Sequence, residues 1–288
     1  MMQTHRIDAA GTSFAVHTAG SGLPLVLLHA FPLDHGMWER QAALAMHVRL
    51  IVPDQRGFGG SRGAVPRSIA QLADDVCALL DALHVARPAV VCGVSMGGYV
   101  AQHVAVRHPD RVAALVLVDT RLDADTPEAR AGRFDLAGKV RRIGQRILAD
   151  AMVPRLLAAR PPDTDPAGQA AHDATAALLR SMIGRQDVGT IEAALAALAD
   201  RPDMTAAVAR LPMPALLVVG EADAITPPAC LEAAERIIPR ARLLVVPRAG
   251  HLVPLEAADV FNAALLQFLA QLPADARRDG PAAGAASV

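Results

Sequence analysis

Aromatic side chains are scarce in this chain of 288 residues, where Phe, Trp and Tyr together make up 3%. A stacking platform for single-stranded nucleic acid needs several such rings, so that class is not expected. A charge excess of one sign is missing too. Lys plus Arg number 28 against 29 Asp plus Glu, a formal net charge of -1, which leaves no electrostatic footprint for DNA or RNA. Cysteine occurs three times, at Cys77, Cys92 and Cys230. Odd in number and far apart, these form neither a disulfide framework nor a CxxC metal pair, and they suit a reducing compartment. Lysine occurs once, at Lys139, so Schiff-base chemistry has a single candidate, which is expected on the surface. Apolar runs such as Leu23–Leu28 are strand-length, far short of the ~20 residues of a membrane helix. The first twenty residues lack a basic start followed by an apolar core, so no secretory signal is expected. A cytoplasmic protein without membrane or nucleic-acid partners follows from this reading.

What is present is a globular composition, 52% apolar and 20% charged, arranged in alternating short apolar runs and helical patterns. Residues 4–7 and 13–18 read as a hairpin around Ala10-Gly11. Strands are expected at Leu23–Leu28, Val48–Val52, Ala89–Cys92, Ala114–Val118, Ala215–Val219 and Arg242–Val246. Between them lie helical patterns. Trp38–Met46 is one; another places Ile69, Leu72, Val76, Leu79, Leu80 and Leu83 on one stripe, with Asp74, Asp75 and Asp81 opposite. Further helices are expected from Ser95 to about His108, near 229–237, and over 256–270 with Val260, Phe261, Leu265, Phe268 and Leu269 inward. Strand–helix alternation with unbroken apolar strands means right-handed crossovers and a mostly parallel sheet covered on both faces. Residues 121–211 differ, being Ala- and Arg-rich helical stretches punctuated by Pro154, Pro161, Pro162, Pro166 and Pro202. The tail, 271–288, is small, polar and rich in Pro and Gly, and is expected to be disordered.

The strongest local signal is Gly93-Val94-Ser95-Met96-Gly97, placed where a buried strand turns into a helix. A turn sharp enough to expose a nucleophile doubles the backbone back on itself, so the positions two away on either side must be small. A serine hydroxyl also needs a base, and the base an orienting acid. His251, in Pro247-Arg-Ala-Gly-His-Leu252 beyond a strand, lies where parallel sheets build their sites. Asp223, in Gly220-Glu-Ala-Asp-Ala-Ile-Thr226, follows the preceding strand; Asp119 and Glu221 remain rivals for the acid. The main-chain N–H groups of Met96 and Phe31 are the expected oxyanion donors, with His29 bracing the Phe31 loop. Asp54-Gln-Arg-Gly-Phe-Gly-Gly-Ser61 reads as a turn with Asp54 and Arg56 as braces. Arg62 breaks its dinucleotide pattern, and no phosphate loop or zinc spacing is present, so neither cofactor nor metal is expected.

GVSMGG, the HAFP loop, DQRGFGGS, GEADAITPP and AGHLVPLE together resemble the α/β-hydrolase superfamily over about residues 14–120 and 212–270. The closest likeness is to small bacterial carboxylesterases and 3-oxoadipate enol-lactonase-like enzymes. The resemblance implies an eight-stranded sheet, a core of 1–120 and 212–270, and a helical cap of 121–211 over Ser95. It further implies a small ester or lactone substrate; the cap, rich in Ala, Leu and Met (Met152, Met182, Met204) and poor in aromatics, is expected to line an apolar acyl pocket, although Met at helical spacing is more often plain core. The family usually shows His-Gly in the oxyanion loop; His29-Ala30 fits there if φ stays negative at Ala30. Peroxide-using and carbon–carbon bond-cleaving relatives share the same triad, and a binding module with a vestigial site remains a further alternative.

Overall fold

The computed structural model describes residues 2–159 and 165–273. Its frame is an eight-stranded sheet in the order β1-β2-β4-β3-β5-β6-β7-β8. The strands are β1 (Gln3–Ala9), β2 (Thr12–Ala19), β3 (Pro24–Leu28), β4 (Arg49–Pro53), β5 (Ala89–Val94), β6 (Val112–Val118), β7 (Ala215–Gly220) and β8 (Ala241–Val246). β1 and β2 form an antiparallel hairpin, β2 runs antiparallel to β4, and every pair from β4 to β8 is parallel. Ala10 and Gly11 both take positive φ, as a two-residue hairpin turn requires. β3, β5 and β7 are buried along their whole length. Their Val and Leu runs have no solvent side to mark with polar residues, which is why they read as continuous.

Helices cover both faces. α1 (Ile69–Ala82) starts at Ser68, whose side chain accepts from Gln71 N. α2 (Met96–Arg107) is buried from Met96 to Ala105, sandwiched between the sheet and its neighbours. A 3-10 segment, His35–Met46, occupies the expected helix after β3. Between β6 and β7 stand α3 (Pro127–Ile143), α4 (Arg146–Leu156), α5 (Pro166–Gly184), α6 (Val188–Ala199) and the short α7 (Thr205–Val208). α8 (Pro228–Glu235) joins β7 to β8; α9 (Val253–Glu256) and α10 (Ala258–Ala270) close the chain.

Some expectations change. Asp75 does not face solvent: it is buried and holds Arg56 with bonds of 2.7 Å and 2.5 Å. Its neighbour Asp74 takes the exposed Arg107 and the half-buried His108 instead. The last helix, α10, matches the expected 256–270 to within two residues, but Val260 is 48% exposed while Phe261, Leu265, Phe268 and Leu269 are buried; the short α9 before it, separated at Ala257 (φ -133, ψ 50), is not among the expected elements. Most of the tail (274–288), with Pro161 and Pro162, lies outside the described residues. Among the described residues no helix is long and apolar enough to cross a membrane.

Candidate active site

Ser95 stands between β5 and α2 at φ 52, ψ -113, a backbone conformation that costs a side-chain-bearing residue roughly 1–3 kcal/mol. Its neighbours make the turn possible. A Cβ on Gly93 would lie 2.0 Å from Gly97 O, and one on Gly97 would lie 2.2 Å from Leu28 O. The start of α2 therefore sits directly on the end of β3, beside the His29–Pro32 loop. Ser95 N donates to Val118 O (3.0 Å), and Thr120 Oγ1 donates to Ser95 O (3.0 Å), pinning the turn to β6 and the residues after it.

His251 and Asp223 meet. The carboxylate Oδ2 accepts from His251 Nδ1 at 2.8 Å and from Thr226 Oγ1 at 2.7 Å. Its Oδ1 accepts from Ile225 N (2.8 Å) and Thr226 N (2.9 Å). Burial works to raise the Asp223 pKa, but the His251 bond, the charge of that ring and the Thr226 bonds outweigh it and hold the carboxyl below its usual range. An ionised carboxylate can only accept, so Nδ1 carries a proton, and in the neutral imidazole the lone pair falls on Nε2.

The rival acids go elsewhere. Asp119, buried at φ 46, accepts from Gly220 N (2.9 Å) and Val253 N (3.0 Å). Burial first, then the nearby Asp223 charge, push its pKa well above the usual carboxylate value. Glu221 is exposed and accepts from Arg248 N. Ser95, Asp223 and His251 thus leave the same carboxyl edge of adjacent strands β5 to β8, with Asp119 bridging β7 to the segment after His251. The Ser95 hydroxyl itself bonds no group among the described residues.

In the loop expected to supply an oxyanion donor, His29 is buried and burial lowers its pKa, so it is a neutral brace. Its Nδ1 faces Ala30 O (3.0 Å), Nε2 accepts from Gln55 N (3.0 Å), and its carbonyl accepts from the Gln55 amide (2.8 Å). Ala30 is not among the residues with positive φ. The N–H groups of Phe31 and Met96 are donated to no other group among the described residues.

Metal-ligating side chains converge once among the described residues, at His17, His35 and Asp54, with ligand atoms within 4.8 Å of one another. The two rings are stacked, centroids 3.5 Å apart and planes 18° from parallel. An ion binds in the plane of each imidazole at about 2 Å, so two such planes cannot share it. Asp54 is also occupied: Oδ1 accepts from His35 N (2.7 Å) and Nδ1 (2.8 Å), and Oδ2 from Gly60 N (2.7 Å). This arrangement does not fit a metal; it braces the 54–61 turn. The thiols are no better placed for chemistry, since burial pushes Cys77 up to about 11 and also raises Cys92 and Cys230. Lys139 lies on the surface against Asp135.

A family profile described as the alpha/beta hydrolase fold matches residues 24–258. The chain belongs to that family. Among curated relatives it is 36% identical over 258 residues to the dihydrolipoyllysine-residue acetyltransferase component of the acetoin cleaving system of Pseudomonas putida. That match covers 86% of this chain but only 64% of the relative. It is 32% identical to a pimeloyl-[acyl-carrier protein] methyl ester esterase of Chromobacterium violaceum, covering 88% of this chain and 97% of the relative. Among solved structures, a malate-bound thermophilic esterase from Thermogutta terrifontis superposes with a TM-score of 0.86 at 37% identity, covering 94% and 99% of the two chains. The enol-lactonase of Burkholderia xenovorans LB400 follows at 0.83 and 28%, covering 93% and 100%. The hydrolase resemblance and the eight-stranded fold expected from the motifs both hold, and the chain is a hydrolase acting on ester bonds.

Sequence reasoning missed three polar side chains that hold this edge together. Thr226 caps the Asp223 carboxylate and Thr120 ties down the Ser95 turn; both are single hydroxyls beside a chain reversal, a weak signal. Glu256 was visible only as a carboxylate in the apolar stretch Val253-Pro-Leu-Glu-Ala257. Of the methionines expected along an acyl pocket, Met182 and Met204 are buried and Met152 packs against the core.

Proposed function

We propose that the chain hydrolyses a small, fairly apolar carboxylic ester or lactone through an acyl-enzyme on Ser95, without a cofactor. The observation that carries this reading is the Asp223–His251 hydrogen bond, which leaves an imidazole lone pair at the same sheet edge as the strained serine. Ser95 Oγ attacks the carbonyl carbon while His251 Nε2 takes its proton. The carbonyl oxygen becomes an oxyanion held by the Phe31 and Met96 N–H groups, which no other acceptor among the described residues claims. Collapse expels the alkoxide, which leaves with the proton from His251. Water, deprotonated by the same ring, then cleaves the acyl–serine bond and regenerates the hydroxyl. α3 to α7, within 121–211, form the cap that closes the acyl site. The esterase and lactonase activities named for the relatives support this substrate class.

A fluorophosphonate probe should label Ser95, and Ser95→Ala should lose both labelling and nearly all turnover of a p-nitrophenyl ester while keeping its fold. An unlabelled native protein would instead favour a binding module with a vestigial site.

A further inference from the structure

Glu256 sits five residues past His251, half-buried, and faces no cation at bonding distance among the described residues. What it holds is main chain. Its Oε1 accepts from Gly250 N (2.9 Å) and Leu252 N (3.3 Å), the two residues flanking His251. Its Oε2 accepts from Ala158 N (2.7 Å), on the chain leaving α4. His251 N donates in turn to Leu156 O at 3.0 Å. The two segments, 156–158 and 250–252, are so close that a Cβ on Gly250 would lie 2.4 Å from Ala158 N and 2.7 Å from Leu157 C. Glycine at 250 is what permits the contact.

We propose that Glu256 is a positioning residue for His251, clamping both sides of the imidazole to the α4 end of the inserted helices so that the two move as one body. This rests on the hydrolase reading above. The catalytic ring is carried by a loop that follows an edge strand. Asp223 fixes its tautomer through Nδ1, but one hydrogen bond to a ring does not fix the backbone from which the ring hangs. Three N–H groups directed at one carboxylate do, because charge-assisted bonds are roughly twice as strong as neutral ones. A chain that shifts α4 on binding substrate shifts the base with it.

Glu256→Gln separates this from simple packing. The amide keeps the volume but offers one acceptor oxygen in place of two. Its NH2 must then face either Ala158 N–H or the Gly250 and Leu252 N–H groups, donor against donor, and one side of the clamp is released. With turnover normalised to phosphonate-titrated serine, kcat is expected to fall between about tenfold and a hundredfold, with KM within about twofold, as for a reacting group displaced by about 1 Å. A kcat per labelled site within about twofold of native overturns the proposal. Native-state hydrogen exchange tests it without a variant: the Ala158, Gly250 and Leu252 amides are expected to open together. Ala158 opening while Gly250 and Leu252 stay protected overturns it as well. Native protein that takes no phosphonate label sinks the hydrolase reading and this inference with it, whereas labelled protein with an indifferent Glu256→Gln sinks the inference alone.

Discussion

Asp223→Asn tests the acid assignment with a consequence worked from atoms. In the native site Oδ1 takes two main-chain donors, Ile225 N and Thr226 N, while Oδ2 takes His251 Nδ1 and Thr226 Oγ1. An asparagine must keep its carbonyl oxygen on the Oδ1 side, because an NH2 there would meet two N–H groups. Its nitrogen then occupies the Oδ2 position, 2.8 Å from the imidazole, and donates. Nδ1 becomes the acceptor, the ring proton moves to Nε2, and no lone pair faces the serine. Thr226 Oγ1 can rotate to accept, so the fold survives. A wrong-tautomer histidine costs about 10^4 in kcat, which is ~5.5 kcal/mol of transition-state stabilisation. The assay is p-nitrophenyl acetate hydrolysis beside the rate of phosphonate labelling, with thermal melting as the control for folding. Retention of more than about a tenth of native kcat would refute the assignment. So would Asp119→Asn proving the crippling change.

Gly97→Ala places a methyl 2.2 Å from Leu28 O, a main-chain atom that cannot rotate away. Stability should fall by about 3 kcal/mol, read as a lower urea midpoint, and an unchanged midpoint would show the contact to be soft. Asp54 and His35 give a pH signature. Burial alone would raise the Asp54 pKa, yet the His17 ring 3.8 Å away, the His35 bond, the His35 charge and Gly60 N hold it far below the carboxylate range. Burial alone would lower His35, yet the Asp54 bond and the Asp54 and Asp34 charges raise it. The depressed Asp54 contributes stability above about pH 4 that fades as pH falls, and the raised His35 contributes below about pH 6.5 and fades as pH rises through its folded value. Asp54→Asn should therefore lose most stability between about pH 4 and 6.5, measured by urea midpoints across pH; an equal loss at pH 5 and pH 9 would contradict this.

The sheet was legible because its central strands are buried on both faces: Val26, Val91, Leu117 and Val218 have no polar alternation to dilute the signal. The Ser95 turn was legible because steric demand dictates glycine at 93 and 97. Position in the alternation suggested Asp223, yet it could not remove Asp119, which also ends a strand; only the hydrogen bonds separate them. Asp75 was misread because helical periodicity assigns a carboxylate to the solvent side, and a buried Arg56 from a distant loop reverses that. The single turn α9 escaped because four residues are too few to show a helical period. Glu256 escaped because its partners are main-chain groups, which carry no identity in a sequence.

β8 is the outermost strand of its side of the sheet, and of its six residues only Val246 is fully enclosed. His251, the base of the proposed reaction, is carried on the loop just beyond it. Sheets loosen first at their margins, where one row of hydrogen bonds is missing and solvent competes for the other. On the proposed reading, gentle heating is therefore expected to lower activity before the spectrum changes, because the proposed base follows an edge strand.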